Sequence, residues 1–412
     1  MAVNELNFTQ VSAFLNAVQH QVTGVANPAP VDTKDFVAVA TTLLKQGYDP
    51  ILNAVNQVLA RTIFSIRPYS AKFRLAEIPE TAYGNHTRKL SIADKDIVDD
   101  DRYKYPVAFD SNENPANGDG ESVDMYKIRK PEILQTNFYG SNVWQDYYTL
   151  FKDQMECAFK SPADMGRFVT MITTNSSNKL TQYREDTGRA TVLNFIGGIL
   201  DENDAATSPY ALGHRVIPLI TLYNAFTGSN VTIADCFSAN NMRPFTQFVY
   251  STIKSVSNMM TERSIAFQTI INGKNVQRHT PKTQQKMFIL EQMVGFFEAM
   301  GIANTYHEGY INMGGIRVEP VGFWQSIKDP YKVQVNPSRV GTDGSVVTGT
   351  MAAAKPIIGV LFDEEALGYA TTQAWQAPTP LNARGGYWNM WIHETEKVYN
   401  DHSEKGVVFT LE

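Results

Sequence analysis

"TPLNARGGYWNMWIHETEKVYNDHSEKGVVF", from Thr379 to Phe409, contains two of the chain's five tryptophans, two histidines and four acidic residues. Its composition allows three interpretations: an active site, a metal site, or part of a β-sheet. Tyr387 to Thr395 combines aromatic, apolar and polar residues at short intervals, and Gly406 to Leu411 is almost continuously apolar. Both patterns are typical of strands. The stretch therefore predicts two strands separated by a polar segment.

The metal-site interpretation depends on the zinc-protease pattern H-E-x-x-H, whose first two residues are matched by His393 and Glu394. Lys397 stands where the second histidine is required, so the two-histidine helix face is missing. The next histidine, His402, follows nine residues after His393, a spacing that points two rings to different sides of a helix or of a straight strand. We therefore expect a polar sheet edge here and no metal ligands.

The composition of the whole chain is that of a globular protein. It has 412 residues, 43% hydrophobic and 19% charged, which predicts two or three domains at about 150 residues each. The start, MAVNELNF, lacks the features of a signal peptide, and no run is long and apolar enough to suggest a membrane span. We expect synthesis in a cytoplasm. Cys157 and Cys236 alone cannot form a disulfide framework or a four-cysteine zinc site.

The charge distribution argues against specific nucleic-acid binding. The formal net charge is -6 and the pI is about 5.7. Lysines and arginines are scattered among acidic residues, whereas a protein that grips phosphates shows a basic stripe.

Three helices are predicted near the N-terminus. Apolar residues recur at helical spacing from Phe8 to Val22. A second helix begins with a capping pattern at Asp32 and is expected to end near Gly47. A third is expected to open at Asp49-Pro50, because proline is favoured at the first helical position.

The segment from Phe64 to Gly140 has only short apolar clusters among many charges. A structureless loop of this length is unusual in a compact domain. Two alternatives remain: a disordered insertion, or a long two-stranded arm with "NENPANGDG" at its tip. Recurring Tyr, Ile, Val and Phe favour the strands.

Helical periodicity is expected to resume from Trp144 to Phe159, and Ser161-Pro162 predicts a capped start for a helix towards Leu200. A further helix is predicted from Pro244 to Ser264. Lys286 to Leu290 fits either a helix or a short buried strand, since five residues do not separate the two periods. Additional strands are predicted at Gly315–Trp324, Tyr331–Val335 and Pro356–Phe362.

No other pattern supplies a catalytic site. Asp110 to Glu121 has the length of a calcium loop, but Pro115 occupies the position that needs glycine. The acidic cluster Asp94–Asp101 is typical of a solvated face. Neither "NMGG" nor "GDGES" matches a phosphate-binding loop, and Cys157 fits a helix core better than a nucleophile. The sequence therefore predicts no catalytic residues, no metal ligands and no cofactor.

The order of these parts resembles the major capsid proteins of tailed bacteriophages, which share the Hong Kong 97-like shell fold. The resemblance covers nearly the whole chain and is strongest in pattern to short-tailed phages. Its most specific part is the C-terminal stretch, which looks like the paired closing strands of that family. "YGNHTRKLSI" is similar to the start of the family's extended loop. "RHTPKTQQKMFIL", from Arg278 to Leu290, resembles a segment that leads into a core strand, which favours the strand at Lys286–Leu290.

The resemblance implies an α+β fold with five parts. These would be a helical N-terminal arm at residues 1–63, an extended loop at 64–140, a peripheral domain with its spine helix at 141–203, an axial domain at 204–362, and closing strands of the peripheral domain at 363–412.

The resemblance also implies a structural function. The chain would be the major capsid protein of a virion, assembling with itself into pentamers and hexamers of an icosahedral or prolate shell around double-stranded DNA. Portal, scaffolding and head-decoration proteins would be its other partners, without a membrane. Within the closing strands one alternating set would face the core, and Arg384, Glu394 and Glu396 would be rim charges. The alternatives are an encapsulin-type nanocompartment shell protein and a metal-dependent hydrolase using His393 and His402.

Overall fold

A computed structural model describes the structure of the chain. The described residues are 8–24, 30, 32–44, 72–78, 86–93, 126, 128, 130–139, 141–158, 161–270, 274, 276–302, 315–341, 343 and 345–412. The third predicted N-terminal helix, from Asp49 onward, lies outside them, as does the predicted loop tip "NENPANGDG".

The first two predicted helices are confirmed as α1 (Phe8–Thr23) and α2 (Thr33–Leu44). The Asp32 side chain accepts a hydrogen bond from the Asp35 backbone N–H at 2.8 Å, so it satisfies one of the free donors at the helix start. Apolar residues on α1 and α2 share one core cluster with the start of the long central helix. The N-terminal helices therefore pack on the body of the molecule.

The central helix is α4 (Pro162–Asp201), which follows the short α3 (Lys152–Ala158). Its predicted start is confirmed: the Ser161 side chain accepts from the Asp164 N–H at 3.1 Å, and Pro162 occupies the first turn. The helix is continuous over 40 residues, or about 60 Å at 1.5 Å per residue. It therefore contributes residues to two of the three core clusters of the described chain.

Four further helices and ten strands follow α4 within the described residues. The helices are α5 (Leu219–Thr227), α6 (Ile233–Cys236), α7 (Met242–Met260) and α8 (Glu291–Ile302). In chain order, the strands of this part are β4 (Val216–Pro218), β5 (Gln285–Leu290), β6 (Arg317–Val321), β7 (Lys332–Val333), β8 (Ser338–Val340), β9 (Val346–Thr348), β10 (Lys355–Asp363), β11 (Leu367–Pro378), β12 (Tyr387–Asn400) and β13 (Gly406–Thr410). Among the described residues, β8 and β9 pair only with each other, and β11 and β12 belong to a different sheet from β4, β5, β6, β10 and β13.

The largest sheet has the order β4-β13-β10-β5-β6, with β7 paired to β10. Its central strands are the apolar runs of the sequence, and every residue of β5 and of β13 is buried. Alternate side chains enter different clusters: Val407 and Phe409 face one side, and Val408 faces the other. Both faces of this sheet are therefore covered, and the predicted strand at Lys286–Leu290 is confirmed.

A second sheet has three strands in the order β11-β12-β3, where β3 spans Ser141–Phe151. The prediction of a helix from Trp144 to Phe159 is wrong over this strand. Trp144 and Tyr148 are four residues apart, a spacing that places two side chains on one side of a strand as well as on one side of a helix. The inner face of this sheet, with Trp388, Met390 and Leu150, joins the cluster of α1 and α2.

The two closing strands lie in different sheets, so the prediction that they pair with each other is wrong. β12 lies between β11 and β3, whereas β13 pairs antiparallel with β10 and parallel with β4. Residues 401–405, here called the closing turn, carry the chain from one sheet to the other.

The segment predicted as a two-stranded arm contains β1 (His86–Ala93) and β2 (Glu132–Tyr139). They pair antiparallel from His86↔Tyr139 to Ala93↔Glu132 as a sheet of two strands. The strand alternative is confirmed for these residues. We call this pair the loop hairpin.

Candidate functional site

Glu394 and Glu396 occupy the buried side of β12, so their prediction as rim charges is wrong. β12 is the middle strand of its sheet, which also excludes a sheet edge at His393. Arg184 on α4 donates to Glu394 at 2.8 Å, and the Thr187 hydroxyl donates to Glu396 at 2.9 Å. Burial raises the pKa of Glu396. These contacts attach the central helix to the sheet. Of the three residues predicted as rim charges, Arg384 alone is exposed.

His393 and His402 lie in different surroundings. The His393 ring stacks on Trp375 with centroids 4.0 Å apart. His402 is buried in the closing turn against Phe195 of α4, with centroids 5.1 Å apart. Burial lowers the pKa of His402 to about 3. Among the residues that the structure describes, no group of three or more His, Cys, Asp or Glu side chains is arranged to hold a metal ion.

Several other sequence candidates cannot be placed. The calcium-loop pattern from Asp110 to Glu121 and the acidic cluster Asp94–Asp101 lie outside the described residues, as does the Cys157 side chain. Within the described part, no helix is both long and apolar enough to span a bilayer.

The loop hairpin rests on the body through one of its two faces. Ser91 accepts a hydrogen bond from Arg278 at 2.9 Å, and Phe138 packs on Tyr399 of β12 with ring centroids 5.5 Å apart. Lys89, Ser91 and Phe138 alternate with residues of the opposite face, as expected for strands. The inner face of the hairpin is therefore fixed to the body by polar and aromatic contacts.

A group of charges, buried at Asp401 and Glu404 and exposed at Glu365, lies where the inner face meets the closing turn. We call Lys89, Arg278, Glu365, Asp401 and Glu404 the charge cluster. The Lys89 Nζ lies 3.0 Å from Asp401 Oδ2 and 3.3 Å from Glu365 Oε2, and both Lys89 and Arg278 bind Glu404. Asp401 and Glu404 are both buried.

Within the charge cluster, opposite charges outweigh burial for Lys89 and Asp401, whereas burial raises the pKa of Glu404. Burial by itself would lower the pKa of Lys89, but Asp401 and Glu404 outweigh it and raise that pKa above the ordinary value. Burial opposes ionisation of Asp401 too, yet Lys89 and Ser403 lower its pKa. Because a buried carboxylate without its cation is strongly unfavourable, the cluster fixes the direction in which the hairpin leaves the body.

The closing turn is buried along its whole length and packs beside α4. The Lys405 Nζ donates to the Glu262 carbonyl and to Ser264 Oγ, both at 3.0 Å, and burial lowers the pKa of Lys405 to about 8. Gly198 of α4 leaves room for the His402 ring, because a Cβ at this position would lie 2.0 Å from His402 Nε2.

The outer face of the loop hairpin is exposed and apolar. Leu90, Ile92 and Ile133 are 57%, 62% and 64% exposed, and Ile92 is paired directly with Ile133. Arg88 lies on the same face and is also exposed. A projecting face with this composition is suited to contact another protein surface.

Sequence reasoning missed the charge cluster. Lys89 and Glu404 are 315 residues apart in the chain, and no local pattern links an exposed-looking lysine to a distant turn. The uninterrupted polar segment between the closing strands was the available signal. Its residues "NDHSEK" join two strands that both enter cores, and residues 401–405 of it are buried in the structure.

Comparison with known proteins gives a consistent result. A sequence model of the family described as Phi29-like phage major capsid protein matches residues 13–410. Among solved structures, the capsid of Staphylococcus phage Andhra aligns with a TM-score of 0.53 at 11% identity, covering 85% of this chain and 88% of that chain. No curated protein sequence matches significantly.

Two further phage structures align with lower scores. A structure titled for the head fiber and inner core protein gp22 of bacteriophage P68 gives a TM-score of 0.49 at 12% identity, covering 85% of this chain and 87% of that chain. The mature capsid of bacteriophage PhiM1 gives 0.44 at 10% identity, covering 85% and 89%.

Proposed function

This chain belongs to the family of Phi29-like phage major capsid proteins, and from that premise we propose that it assembles with further copies of itself into pentamers and hexamers of a closed shell. The family match covers almost the whole chain, so the chain is the major capsid protein of a phage and a component of its virion. The proposed shell is icosahedral or prolate and encloses the double-stranded DNA genome.

The observation that supports assembly is the loop hairpin. Its inner face is fixed by the charge cluster, while its outer face exposes Leu90, Ile92 and Ile133. A subunit in a ring needs one surface that fits a different surface of its neighbour. A rigidly directed apolar projection is suited to lie on such a neighbour, since burying apolar area gives about 25 cal/mol per Å².

We propose the same division of the chain that the sequence resemblance implies. Residues 1–63 form a helical N-terminal arm, 64–140 the extended loop, 141–203 the peripheral domain with α4 as its spine, and 204–362 the axial domain. In residues 363–412, β11 and β12 complete the peripheral sheet, whereas β13 continues the sheet that contains β4, β5 and β10.

The remaining features of the proposal concern partners and chemistry. The protein would be made in the cytoplasm of the host bacterium and would act without catalysis, cofactor or membrane. Portal, scaffolding and head-decoration proteins are its proposed partners. The net charge of -6 suits a container that encloses DNA without adhering to it, because like charge weakens nonspecific binding.

The two alternatives have less support. An encapsulin-type shell protein would have been expected to match a family other than that of phage capsids. A hydrolase using both histidines would need them close together, whereas His393 stacks in the sheet and His402 packs against α4.

Expression followed by electron microscopy and sedimentation tests the proposal. The expected product, alone or with a scaffolding protein encoded beside it, is a uniform population of closed hollow particles. Subunits that stay monomeric under both conditions, although folded by circular dichroism, would contradict self-assembly.

A further inference from the structure

We propose that the closing turn is an acid-sensitive latch for the loop hairpin: it holds the hairpin on the body while His402 is neutral and releases the hairpin when His402 is protonated. This inference deepens the proposed function and rests on it, because the hairpin is the element proposed to support assembly. The latch joins three parts of the described chain, which are the His402 ring, the rest of the closing turn and the inner face of the hairpin.

The ring of His402 fills a narrow slot on α4. It stacks on Phe195 with centroids 5.1 Å apart and an interplanar angle of 26°. Gly198 borders the same ring, where an added Cβ would lie 2.0 Å from His402 Nε2. Phe195 is in turn enclosed by Gly406, directly after the turn, where an added Cβ would lie 2.6 Å from the phenyl ring. With both ring nitrogens of the histidine buried, the slot leaves little room for the water that would solvate a charged ring.

The charged groups around this slot make a second cation unfavourable. The Arg215 guanidinium is buried beside the turn and forms an ion pair with Glu202 at 2.6 Å. Burial, together with the positive charges of Arg215 and Arg339, lowers the pKa of the histidine to about 3. Asp401 acts in the opposite direction, but its carboxylate is already paired with Lys89 at 3.0 Å. Both the shape of the slot and its charges therefore oppose a proton on the ring.

The residues on either side of the histidine hold the hairpin. Asp401 precedes it and binds Lys89 of β1, and Glu404 follows it and binds both Lys89 and Arg278. Ser403 accepts two hydrogen bonds from Arg278, at its carbonyl and at its hydroxyl, both at 3.2 Å. All of these partners belong to a turn of only five residues. Displacement of the histidine from its slot therefore displaces the groups that attach the hairpin.

The hairpin depends on this attachment for its order. In the part of the chain that the structure describes, β1 and β2 form a sheet of two strands, and such a pair alone is marginally stable in water. The strand β13, by contrast, has a core cluster on each face of its sheet. Opening of the turn would thus loosen the hairpin before the main sheet unfolds, as expected for a local opening. In the proposed shell, acid would prevent assembly while the subunit stays folded.

Other titratable groups of the latch act in both directions. Burial raises the pKa of Glu404, so proton uptake there favours the closed turn. Burial opposes ionisation of Asp401, but Lys89 and Ser403 outweigh it and lower that pKa, so proton uptake there favours the open turn. Burial also lowers the pKa of Lys405 to about 8, which limits a clean measurement to pH 7 and below. A variant that removes only the histidine is therefore needed to isolate its contribution.

Hydrogen exchange of the free subunit at pH 7 and pH 5 tests the latch. Protection factors, corrected for the intrinsic exchange rate at each pH, are compared between the original chain and His402→Phe, which can stack on Phe195 but does not titrate. At pH 7 the paired amides of β1 and β2 should be less protected than those of β13. From pH 7 to pH 5 their protection should fall by about 25-fold more in the original, because the histidine titrates near 6.5 when open and near 3 when closed.

The matched control is His393→Phe. This histidine also stacks on an aromatic ring, that of Trp375 at 4.0 Å, but it lies in β12 and outside the turn. The control should keep the pH dependence of the original chain. If His402→Phe does not fold, His402→Gln replaces it, since the amide is neutral at both pH values.

Two results would overturn the latch. The first is a hairpin whose protection has the same pH dependence in the original and in the His402 variant. The second is a hairpin as strongly protected as β13 at pH 7, which would mean that it opens only when the whole subunit unfolds. Because the measurement uses free subunits, its outcome is independent of shell formation. A working latch in a chain that never forms shells at pH 7 would contradict the proposed function alone.

Discussion

The loop hairpin and the last strand, β13, differ in how their side chains are used. Every residue of β13 is buried, because a hydrophobic core cluster covers each of the two faces of its sheet. The hairpin buries one face against the body and exposes the other. The first arrangement stabilises a single subunit, and the second is expected to stabilise only an assembly. Substitutions in the two regions should therefore change different measurements.

The largest loss of subunit stability is expected from Phe409→Ala. Phe409 is fully buried, and removing a buried phenylalanine costs about 3–5 kcal/mol. The hairpin counterpart, Leu90→Ala, should change the free energy of unfolding by less than about 0.5 kcal/mol, as for other exposed positions. Urea unfolding of the free subunit measures both.

When the two variants are compared at the same concentration of folded subunit, Leu90→Ala should reduce the yield of particles more than Phe409→Ala does. Leu90→Ala is expected to reduce shell formation although it leaves the subunit stable. Equal stability losses from the two variants would mean that the hairpin belongs to the folding core.

Gly198→Ala should produce the next largest effect. A Cβ at Gly198 would lie 2.0 Å from the ring of His402, which is buried and cannot move aside. Overpacking of this kind costs about 1–3 kcal/mol. The matched control is Gly295→Ala in α8, where no atom of the described residues lies within 4 Å of the added Cβ.

The control should gain stability, because alanine is favoured over glycine in a helix by about 1 kcal/mol. Thermal melting of both variants distinguishes a specific contact from a general effect of glycine. A Gly198→Ala protein as stable as the original would show that the closing turn does not press on α4.

Lys89→Met tests the charge cluster. The substitution removes the cation beside Asp401 while leaving Arg278 on Glu404. We expect a loss of about 2 kcal/mol, less than the 3–5 kcal/mol for a fully buried pair, because the Lys89 side chain keeps 21% exposure. Arg88→Met, one residue away on the outer face, should have almost no effect on unfolding.

Hydrogen exchange adds a local measure to this comparison. Amides of β1 and β2 should exchange faster in Lys89→Met than in Arg88→Met, since the hairpin would lose its attachment. Unchanged protection in both variants would mean that Phe138 and Ser91 hold the hairpin without the lysine.

Acid should destabilise the subunit through His402. Burial lowers its folded pKa from 6.5 to about 3, so between these values the unfolded chain binds a proton that the folded chain does not. The contribution of His402 is therefore zero above pH 6.5, and it lowers stability as the pH decreases towards 3. The loss at pH 5 is about 2 kcal/mol, at 1.36 kcal/mol per pH unit.

The difference between the original protein and His402→Phe isolates this contribution. Phenylalanine can stack on Phe195 but does not titrate, so the pH dependence between 6.5 and 4 should be shallower in the variant. Other acidic groups, such as Asp401, act in both proteins and cancel. Identical slopes would mean that His402 takes up its proton in the folded state.

The strands and helices with a clear local signal could be predicted from the sequence. Ser161 and Pro162 fixed the start of α4, and the alternating set Trp388, Met390 and Ile392 is buried as expected. β3 was predicted as a helix because its large apolar residues are spaced four apart, which suits both structures. β11 was not predicted, since a bulge between Thr371 and Gln373 interrupts its alternation.

The contacts of the candidate site could not be predicted in the same way. Glu394 and Glu396 look like surface charges until α4 supplies Arg184 and Thr187 to meet them. The charge cluster likewise joins the hairpin, the segment before β5 and the closing turn. Burial of a charged residue depends on partners that are distant in sequence, whereas strand and helix periods are local.

The smallest effect on folding, and a complete effect on assembly, is expected when the extended loop is shortened. Ala93 and Glu132 are the last paired residues of the hairpin, so residues 94–131 can be replaced by Asn-Gly, which closes two-residue hairpins. The deletion must begin after Ala93, because removing Lys89 would also remove the cation of the charge cluster. The free energy of unfolding should stay within about 0.5 kcal/mol of the original, and closed shells should not form, since the proposed extended loop beyond the hairpin is expected to make a further contact with a neighbour that the retained hairpin face does not replace. Urea unfolding reports the first result, and sedimentation with electron microscopy reports the second. Normal shells from this variant would show that the removed residues are not an assembly element, whereas unfolding would show that they contribute to the core.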